Sequence, residues 1–363
     1  MNGLGEAIHT ARIASGLTQA QLAEQAGVTQ AALSRYENGL RDPDPETLEQ
    51  LASAVGVNSH LLTNMSQIAG SIATEAHMRR RATAPARVWR RLEAGINVLR
   101  AQMRLLLSVI DYRPSNTMPT LDPIEYPPHE AARLVRAQWR MPQGPVRNLT
   151  AWMESAGCLI IERDFGSPRV DGLSQWIDDH PIIMINSRVP TDRKRLTLAH
   201  ELGHIVMHSE PIHLSNQSEE EAMQFAAEFL MPAHMIRPEL RQRSLGHFAN
   251  LKRKWMVSIA ALITRAHDLG TITQTNKTSL YKALSARGWR KREPLSEQLP
   301  PETPSTPASI VNALGELAYD PQQIANLGGF ANVDQAARTL PLPLPALRIV
   351  KKSGRHPKTA CHR

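Results

Sequence analysis

The sequence is poor in cysteine, in aromatic side chains and in long apolar runs. Its 363 residues include two cysteines, Cys158 and Cys361, and no CxxC pair, which excludes a disulfide-stapled scaffold and a thiolate zinc cluster. The 16 aromatic residues (5 Phe, 5 Tyr and 6 Trp) are few for a sheet-rich protein, so a mainly helical chain is expected. No stretch reaches the length of a membrane span, about 20 apolar residues, and the N-terminus lacks the apolar run of an export signal. These absences predict a protein of the reducing cytoplasm.

Charge is distributed unevenly along a chain whose length predicts two or three domains. Residues 1–68 carry three arginines against seven acidic residues, a net charge of −4, whereas residues 75–113 carry nine arginines against three acidic residues, a net charge of +6. The overall charge of +8 favours a nucleic-acid partner. The basic surface is therefore expected just outside the first domain.

Residues 4–62 contain short amphipathic helices separated by glycine and proline. Thr18 and Thr29 are good N-cap residues for helices predicted at 19–25 and 30–38. Two short helices joined by a tight turn have the spacing of a helix-turn-helix, in which the second helix protrudes into the major groove of DNA.

A heptad pattern follows in the basic segment 75–113, which we interpret as a helical connector. Its apolar positions are Leu92, Ile96, Leu99, Met103, Leu106 and Ile110. Two interpretations are open: a coiled coil that dimerises the protein, or a helix that packs on the next domain. Gly95 within the seam weakens the coiled coil.

The rest of the chain divides at about Pro294. Before it, β-branched runs at 157–162 and 181–186 predict strands, and helices are predicted at about 191–208, 218–230 and 255–268. After it the composition shifts to proline, leucine and serine with an excess of basic residues near the C-terminus. The tail 293–363 is therefore expected to be largely disordered.

The sharpest local signal is the HExxH motif formed by His200, Glu201 and His204. Positions i and i+4 share one face of a helix, so both imidazoles can bind one zinc ion, and Glu201 can act as a general base on water at that ion. Three acidic residues at 219–221 begin a later helix, where they either complement its dipole or supply a third ligand. A closed structural zinc site, with His208 or His213 as fourth ligand, is the alternative for the whole site.

At this point the sequence resembles the ImmA/IrrE metallopeptidases. The matching stretches are DGLS at 171–174, PIIMIN at 181–186, RLTLAHELGHIVMH at 195–208 and EEEAMQFAAEFLMP at 219–232. The resemblance implies an α+β zincin-like domain with a small sheet over 122–292, Zn2+ as cofactor, Glu219 as third ligand and cleavage of helix-turn-helix repressors. Met223 departs from the pattern, because the family often has asparagine there, four residues after the third ligand.

Residues 4–62 likewise resemble the XRE helix-turn-helix family, through LTQAQLA at 17–23 and VTQAALSRYENG at 28–39. This resemblance implies an all-α DNA-binding domain over 1–68 and a buried, structural ion pair between Arg12 and Glu37. Gln19 would contact a phosphate, and the residues facing base edges would be Gln30, Ala31, Ser34 and Arg35. A phosphate contact is the alternative role for Arg35.

Together these features predict a mainly α multidomain regulator with a zinc endopeptidase domain. Its expected partners are a double-stranded DNA operator, an XRE-type repressor as substrate and a second copy of the chain in a homodimer. Fusion of the two domains adds the hypothesis that the protein cleaves its own linker or a sister copy. The alternative is a non-proteolytic transcription factor in which the zincin domain is structural or sensory.

Overall fold

A computed structural model describes residues 3–68, 77–78, 85–208, 216–242, 244–290 and 292–343. Within these ranges the chain is mainly helical, with one small sheet, as the composition predicts. Three separate clusters of buried apolar side chains form its cores. None of the described helices is long and apolar enough to cross a membrane.

The first core belongs to a bundle of five short helices. They are α1 (Gly3–Ser15), α2 (Gln19–Gln25), α3 (Gln30–Glu37), α4 (Pro45–Val55) and α5 (Ser59–Ile68). The hydroxyls of Thr18 and Thr29 accept hydrogen bonds from the backbone N–H groups of Gln21 and Ala32, which caps α2 and α3. The two helices predicted here are therefore confirmed, with α3 ending one residue early.

A long helix, α6 (Ala86–Leu107), joins this bundle to the rest of the molecule. Its heptad seam is buried within the same chain, since Leu92, Ile96 and Leu99 pack in the core of the small sheet. On another face, Val98 and Ala101 pack in the helical bundle. The seam is thus used for packing on the next domain, and the coiled-coil interpretation of this seam is wrong.

The second unit wraps helices around a four-stranded sheet of order β1-β3-β4-β2. The strands are β1 (His77–Met78), β2 (Leu159–Arg163), β3 (Gly172–Ile177) and β4 (His180–Asn186). β4 runs parallel to β2 and antiparallel to β3, and β1 adds antiparallel to β3. The helices are α7 (Pro128–Gln138), α8 (Leu149–Ser155), α9 (Thr191–Met207), α10 (Asn216–Leu230), α11 (Ala233–Ile236), α12 (Leu245–Trp255), α13 (Ile259–Asp268) and α14 (Gln274–Ala286).

The predicted disorder of the tail is wrong for residues 292–343. This segment contains α15 (Thr306–Glu316), α16 (Pro321–Leu327) and α17 (Val333–Ala337). Ile310, Leu314 and Phe330 fill the core between α6 and the sheet, which explains why the segment folds. Residues 344–363 lie outside the described part of the chain.

Hydrogen bonds also connect the tail to both units. At one end, Glu154 accepts hydrogen bonds from the backbone N–H groups of Ser305 and Thr306, both at 2.7 Å. At the other, the N–H of Asn58 donates to the carbonyl of Gly329 at 3.0 Å, beside α5. The tail therefore holds the helical bundle against the sheet-containing unit.

Candidate metal centre and DNA-binding face

Helix α9 carries the HExxH motif in the interior of the sheet-containing unit. It lies between the sheet and α10, and the side chains of His200, Glu201 and His204 are at most 1% exposed. The apolar neighbours Leu198, Leu202 and Ile205 pack into the surrounding core. Every residue of α9 from Thr197 to Met207 is buried, so the three polar side chains are packed inside the protein.

Glu219, at the start of α10, completes a cluster of three possible metal ligands. The Nε2 atoms of His200 and His204 are 3.1 Å apart. The Oε2 atom of Glu219 lies 3.4 Å from Nε2 of His200, and its Oε1 atom lies 3.3 Å from Nε2 of His204. Zinc bound tetrahedrally at about 2.0–2.1 Å places its ligands about 3.4 Å apart, so these donor atoms fit such an ion.

The protonation states of the cluster suit metal binding. Burial lowers the pKa of His204 to about 4, against the raising effect of the neighbouring Glu219 carboxylate, so the imidazole is neutral at pH 7. Burial alone raises the pKa of Glu219, but hydrogen bonding to His200 and His204 outweighs burial and holds that pKa below its ordinary value. Neutral imidazole and ionised carboxylate are the forms in which histidine and glutamate bind zinc.

The glutamate of the motif is held by a serine on the neighbouring strand. The Oγ atom of Ser174, in β3, donates a hydrogen bond of 2.7 Å to Oε2 of Glu201. Both side chains are fully buried. Gly172 lies on the same face of β3, where an added Cβ would be 3.7 Å from Cγ of Glu201. Sequence reasoning gave Ser174 no role, and the DGLS stretch was its only signal.

The approach of α10 to α9 depends on Gly203. A Cβ at this position would lie 3.0 Å from Cα of Ala222 and 3.2 Å from Cδ1 of Phe225. The glycine therefore permits the close helix packing that places Glu219 beside the two histidines.

Gly203→Ala is accordingly expected to separate α10 from α9 and to weaken zinc binding by about tenfold or more, since mutation of residues that position metal ligands typically costs about 10- to 100-fold in affinity. Competition with a zinc indicator measures the change. Gly246→Ala in α12 is the control, because an added Cβ there meets nothing within 4 Å. Equal zinc affinity of the two variants would contradict the role given to Gly203.

In the helical bundle, the predicted base-contacting residues share one side of α3. Gln30, Ala31 and Arg35 are exposed and Ser34 is partly exposed. Leu33, Tyr36 and Glu37 point into the core on the opposite side. The structure thus leaves this face of α3 open to solvent, as a recognition helix requires.

The residues beneath this face form a buried polar network. Nε of Arg12 donates to Oε1 of Glu37 at 2.5 Å and its terminal nitrogen donates to Oε2 at 2.9 Å, which confirms the expected ion pair. Nε2 of Gln19 also donates to Oε2 of Glu37, at 2.8 Å. Gln19 is therefore tied to the interior in this structure, a contact that the sequence did not reveal.

Two family models match the chain. Residues 8–62 match the family model of a helix-turn-helix domain, and residues 153–267 match the peptidase M78 model, described as an IrrE N-terminal-like domain. The chain joins an XRE-type helix-turn-helix domain to an IrrE/ImmA-like domain. The second match contains the HExxH helix and Glu219 as well as Ser174.

In the IrrE-like domain, His208 lies outside the cluster of three possible ligands. His208 follows α9, and its Nε2 atom lies 2.8 Å from Oε2 of Glu221. This pairing leaves His208 as a partner of the α10 terminus rather than a fourth ligand. The other candidate, His213, lies outside the described residues. The side chain of Glu219 is 33% exposed, so within the described residues the cluster is open on one side.

Met223 lies one turn after Glu219 in α10 and lines an open cleft of about 1450 Å3 in the IrrE-like domain. A thioether is only a weak hydrogen-bond acceptor. The side chain of Met223 therefore cannot donate to Glu219 the hydrogen bond that the amide of an asparagine would supply.

Proposed function

We propose that the protein is a cytoplasmic, DNA-binding transcriptional regulator whose IrrE-like domain is a zinc-dependent endopeptidase. The observation that carries this proposal is the cluster of two buried imidazoles and one partly exposed carboxylate, whose donor atoms lie close enough together to bind one ion. Glu201 lies beside them on α9. Catalytic zinc sites use three protein ligands of this type and keep a fourth position open. The proposed ligands are His200, His204 and Glu219.

The residues around the centre suit the hydrolysis of a peptide bond. Zinc, when bound, acts as a Lewis acid on a carbonyl and lowers the pKa of water. Glu201 takes the proton of the attacking water and delivers it to the leaving amine. Ser174 holds one carboxylate oxygen of Glu201 and so fixes the orientation of the base. The buried surroundings strengthen each of these electrostatic interactions.

The proposed substrate is an XRE-type repressor or the chain itself, on the resemblance to ImmA/IrrE proteins. The helix-turn-helix domain would bring the peptidase to a double-stranded operator as a homodimer. The test uses full-length protein stripped with a chelator and then reloaded with one equivalent of zinc, incubated alone and with a purified XRE-type repressor. Zinc-dependent fragments are expected by mass spectrometry. Absence of any metal-dependent fragment from either protein would overturn the endopeptidase.

The ligand role of Glu219 is tested by a matched pair in α10. Glu219→Gln is expected to weaken zinc binding by at least about tenfold, the smallest loss that removal of even an outer partner of a metal ligand produces. Glu220→Gln, an exposed neighbour that contacts Gln224, should leave zinc affinity unchanged. Elemental analysis after dialysis against a weak chelator measures both variants. Equal zinc retention would remove Glu219 from the ligand set.

Arg35→Ala tests the proposed DNA-binding face. If the guanidinium pairs with a base edge, operator affinity falls by about 1–3 kcal/mol while affinity for unrelated DNA changes little. A phosphate contact would instead weaken binding to both DNAs alike and reduce the number of counterions released on binding by about one. Fluorescence anisotropy over a series of salt concentrations separates the two outcomes. No change on either DNA would remove α3 as the recognition helix.

A non-proteolytic transcription factor is the second candidate, favoured by Met223. In that case the zinc site would hold the fold together, and Glu201 would have no chemical task. The discriminating variant is Glu201→Gln.

A further inference from the structure

Strand β3 connects the candidate base to the edge of the sheet. On one face, Ser174 donates its hydrogen bond to Glu201. Along its backbone edge, β3 pairs antiparallel with β1, with His77 opposite Ser174 and Met78 opposite Leu173. The other edge of β3 pairs with β4. The backbone of β1 is therefore one strand spacing, about 4.8 Å, from the residue that holds the base.

An added antiparallel strand is one of the general ways in which proteins bind extended peptides. Backbone hydrogen bonds supply the affinity, so the mode accepts many sequences. A peptidase needs its scissile bond within reach of the general base, and the edge of β3 beside Ser174 lies close to that base. The position taken by β1 is thus where an extended substrate can lie in this domain.

The occupant of this position is the chain's own linker. β1 lies between the end of α5 at Ile68 and the start of α6 at Ala86. Both helices are packed in folded cores, with Leu61 in one and Leu92 in the other. A strand tethered at both ends meets the edge of β3 at a high effective concentration, which favours its pairing over that of a free peptide.

We infer that the linker at His77–Met78 is held in cis as a substrate-like strand on β3. The site takes extended peptide backbone, and a free peptide must displace the linker before it reaches Glu201. This inference rests on the proposed endopeptidase function in one respect only, namely that substrate binds at this edge of β3. The pairing itself predicts a competition that can be measured without hydrolysis.

The binding test uses full-length, zinc-loaded Glu201→Gln protein, with and without the further substitutions His77→Pro and Met78→Pro. Proline has no N–H and disfavours a paired strand, so these substitutions vacate the edge of β3. The probe is a fluorescein-labelled synthetic peptide with the sequence of residues 72–83. We expect it to bind the proline variant at least tenfold more tightly than the parent. A probe with proline at the positions of His77 and Met78 keeps its arginines and should bind neither protein. Equal binding of the native probe to both proteins, or equal binding of the two probes, would overturn the inference.

A second measurement separates this inference from the proposed function. The same proline substitutions are made with Glu201 intact, and cleavage of an XRE-type repressor is followed by mass spectrometry. Faster cleavage in the proline variant supports the inference. Repressor cleavage at an unchanged rate, together with equal peptide binding, overturns the inference and leaves the endopeptidase standing. Absence of any cleavage, together with tighter peptide binding to the proline variant, supports occupancy of this edge of β3 and overturns the endopeptidase.

Discussion

Glu201→Gln is expected to slow peptide hydrolysis by about 10²- to 10⁴-fold while the protein keeps its zinc. The amide has the shape of the carboxylate and still accepts the hydrogen bond from Ser174, so the fold around α9 is preserved. It cannot accept the proton of the attacking water, so only the chemical step is lost. Zinc content and repressor cleavage are measured on the same samples of wild type and variant.

The matched control for this experiment is Glu220→Gln, which also neutralises a glutamate but lies exposed on α10. It should keep both zinc and cleavage. If Glu201→Gln instead loses zinc or fails to fold, the glutamate is a structural group and the non-proteolytic regulator becomes the better interpretation. If Glu201→Gln cleaves at the wild-type rate, Glu201 is not the base.

The parts of the structure that the sequence predicted best are those fixed by local signals. Thr18 and Thr29 cap their helices through contacts three residues away, and Gly27 ends the first of these helices with a φ of 65°. The spacing of His200 and His204 likewise needs only helical geometry. Such features depend on a few neighbouring residues, so their pattern can be recognised without tertiary structure.

The parts that the sequence could not predict depend on long-range packing. The hydrogen bond from Ser174 to Glu201 joins residues 27 positions apart and requires that β3 direct alternate side chains toward α9. The place of Glu219 depends on the close approach of two helices at Gly203. From the residues alone, Glu219 could equally have complemented the dipole of α10.

The tail shows why a prediction of disorder from composition alone was wrong. A composition rich in proline, leucine and serine after Pro294, with an excess of basic residues near the C-terminus, predicted disorder, yet a weak helical pattern near Ile310 was present in the sequence. α15 begins with Pro307 in its first turn, where a missing N–H costs nothing, so proline starts this helix rather than breaking it. The apolar side chains then find a groove between α6 and the sheet that only the folded protein provides.

Arg12→Met is expected to destabilise the helix-turn-helix domain by about 3–5 kcal/mol, because it leaves the carboxylate of Glu37 buried without its main partner. Arg12 is 6% exposed and Glu37 is 3% exposed, so water cannot replace the lost hydrogen bonds. The remaining donors, His9 and Gln19, contact only Oε2 of Glu37. Hydrogen exchange of the α1–α3 amides in full-length protein measures the loss.

The double variant Arg12→Met/Glu37→Leu is the control, since replacing a whole buried ion pair by apolar side chains is often neutral or stabilising. It should recover most of the protection lost in the single variant. Failure of the double variant to recover would show that the network stabilises the domain through shape rather than charge.

The same pair predicts how the stability of this domain depends on acid. Burial raises the pKa of Glu37, but hydrogen bonds from His9, Arg12 and Gln19 outweigh it and lower the pKa from 4.5 to about 2. A carboxyl whose pKa is lower in the folded state stabilises the fold above its unfolded pKa, and this contribution is lost as the pH falls from about 4.5 toward 2. Arg12→Met removes two of the stabilising hydrogen bonds, so the pKa rises and the loss on acidification becomes smaller. The measurement is hydrogen-exchange protection of the α1–α3 amides, corrected for the pH dependence of the intrinsic exchange rate. This protection should fall less between pH 5 and pH 3 in the variant than in wild type. An equal fall in both proteins would show that Arg12 does not control the ionisation of Glu37.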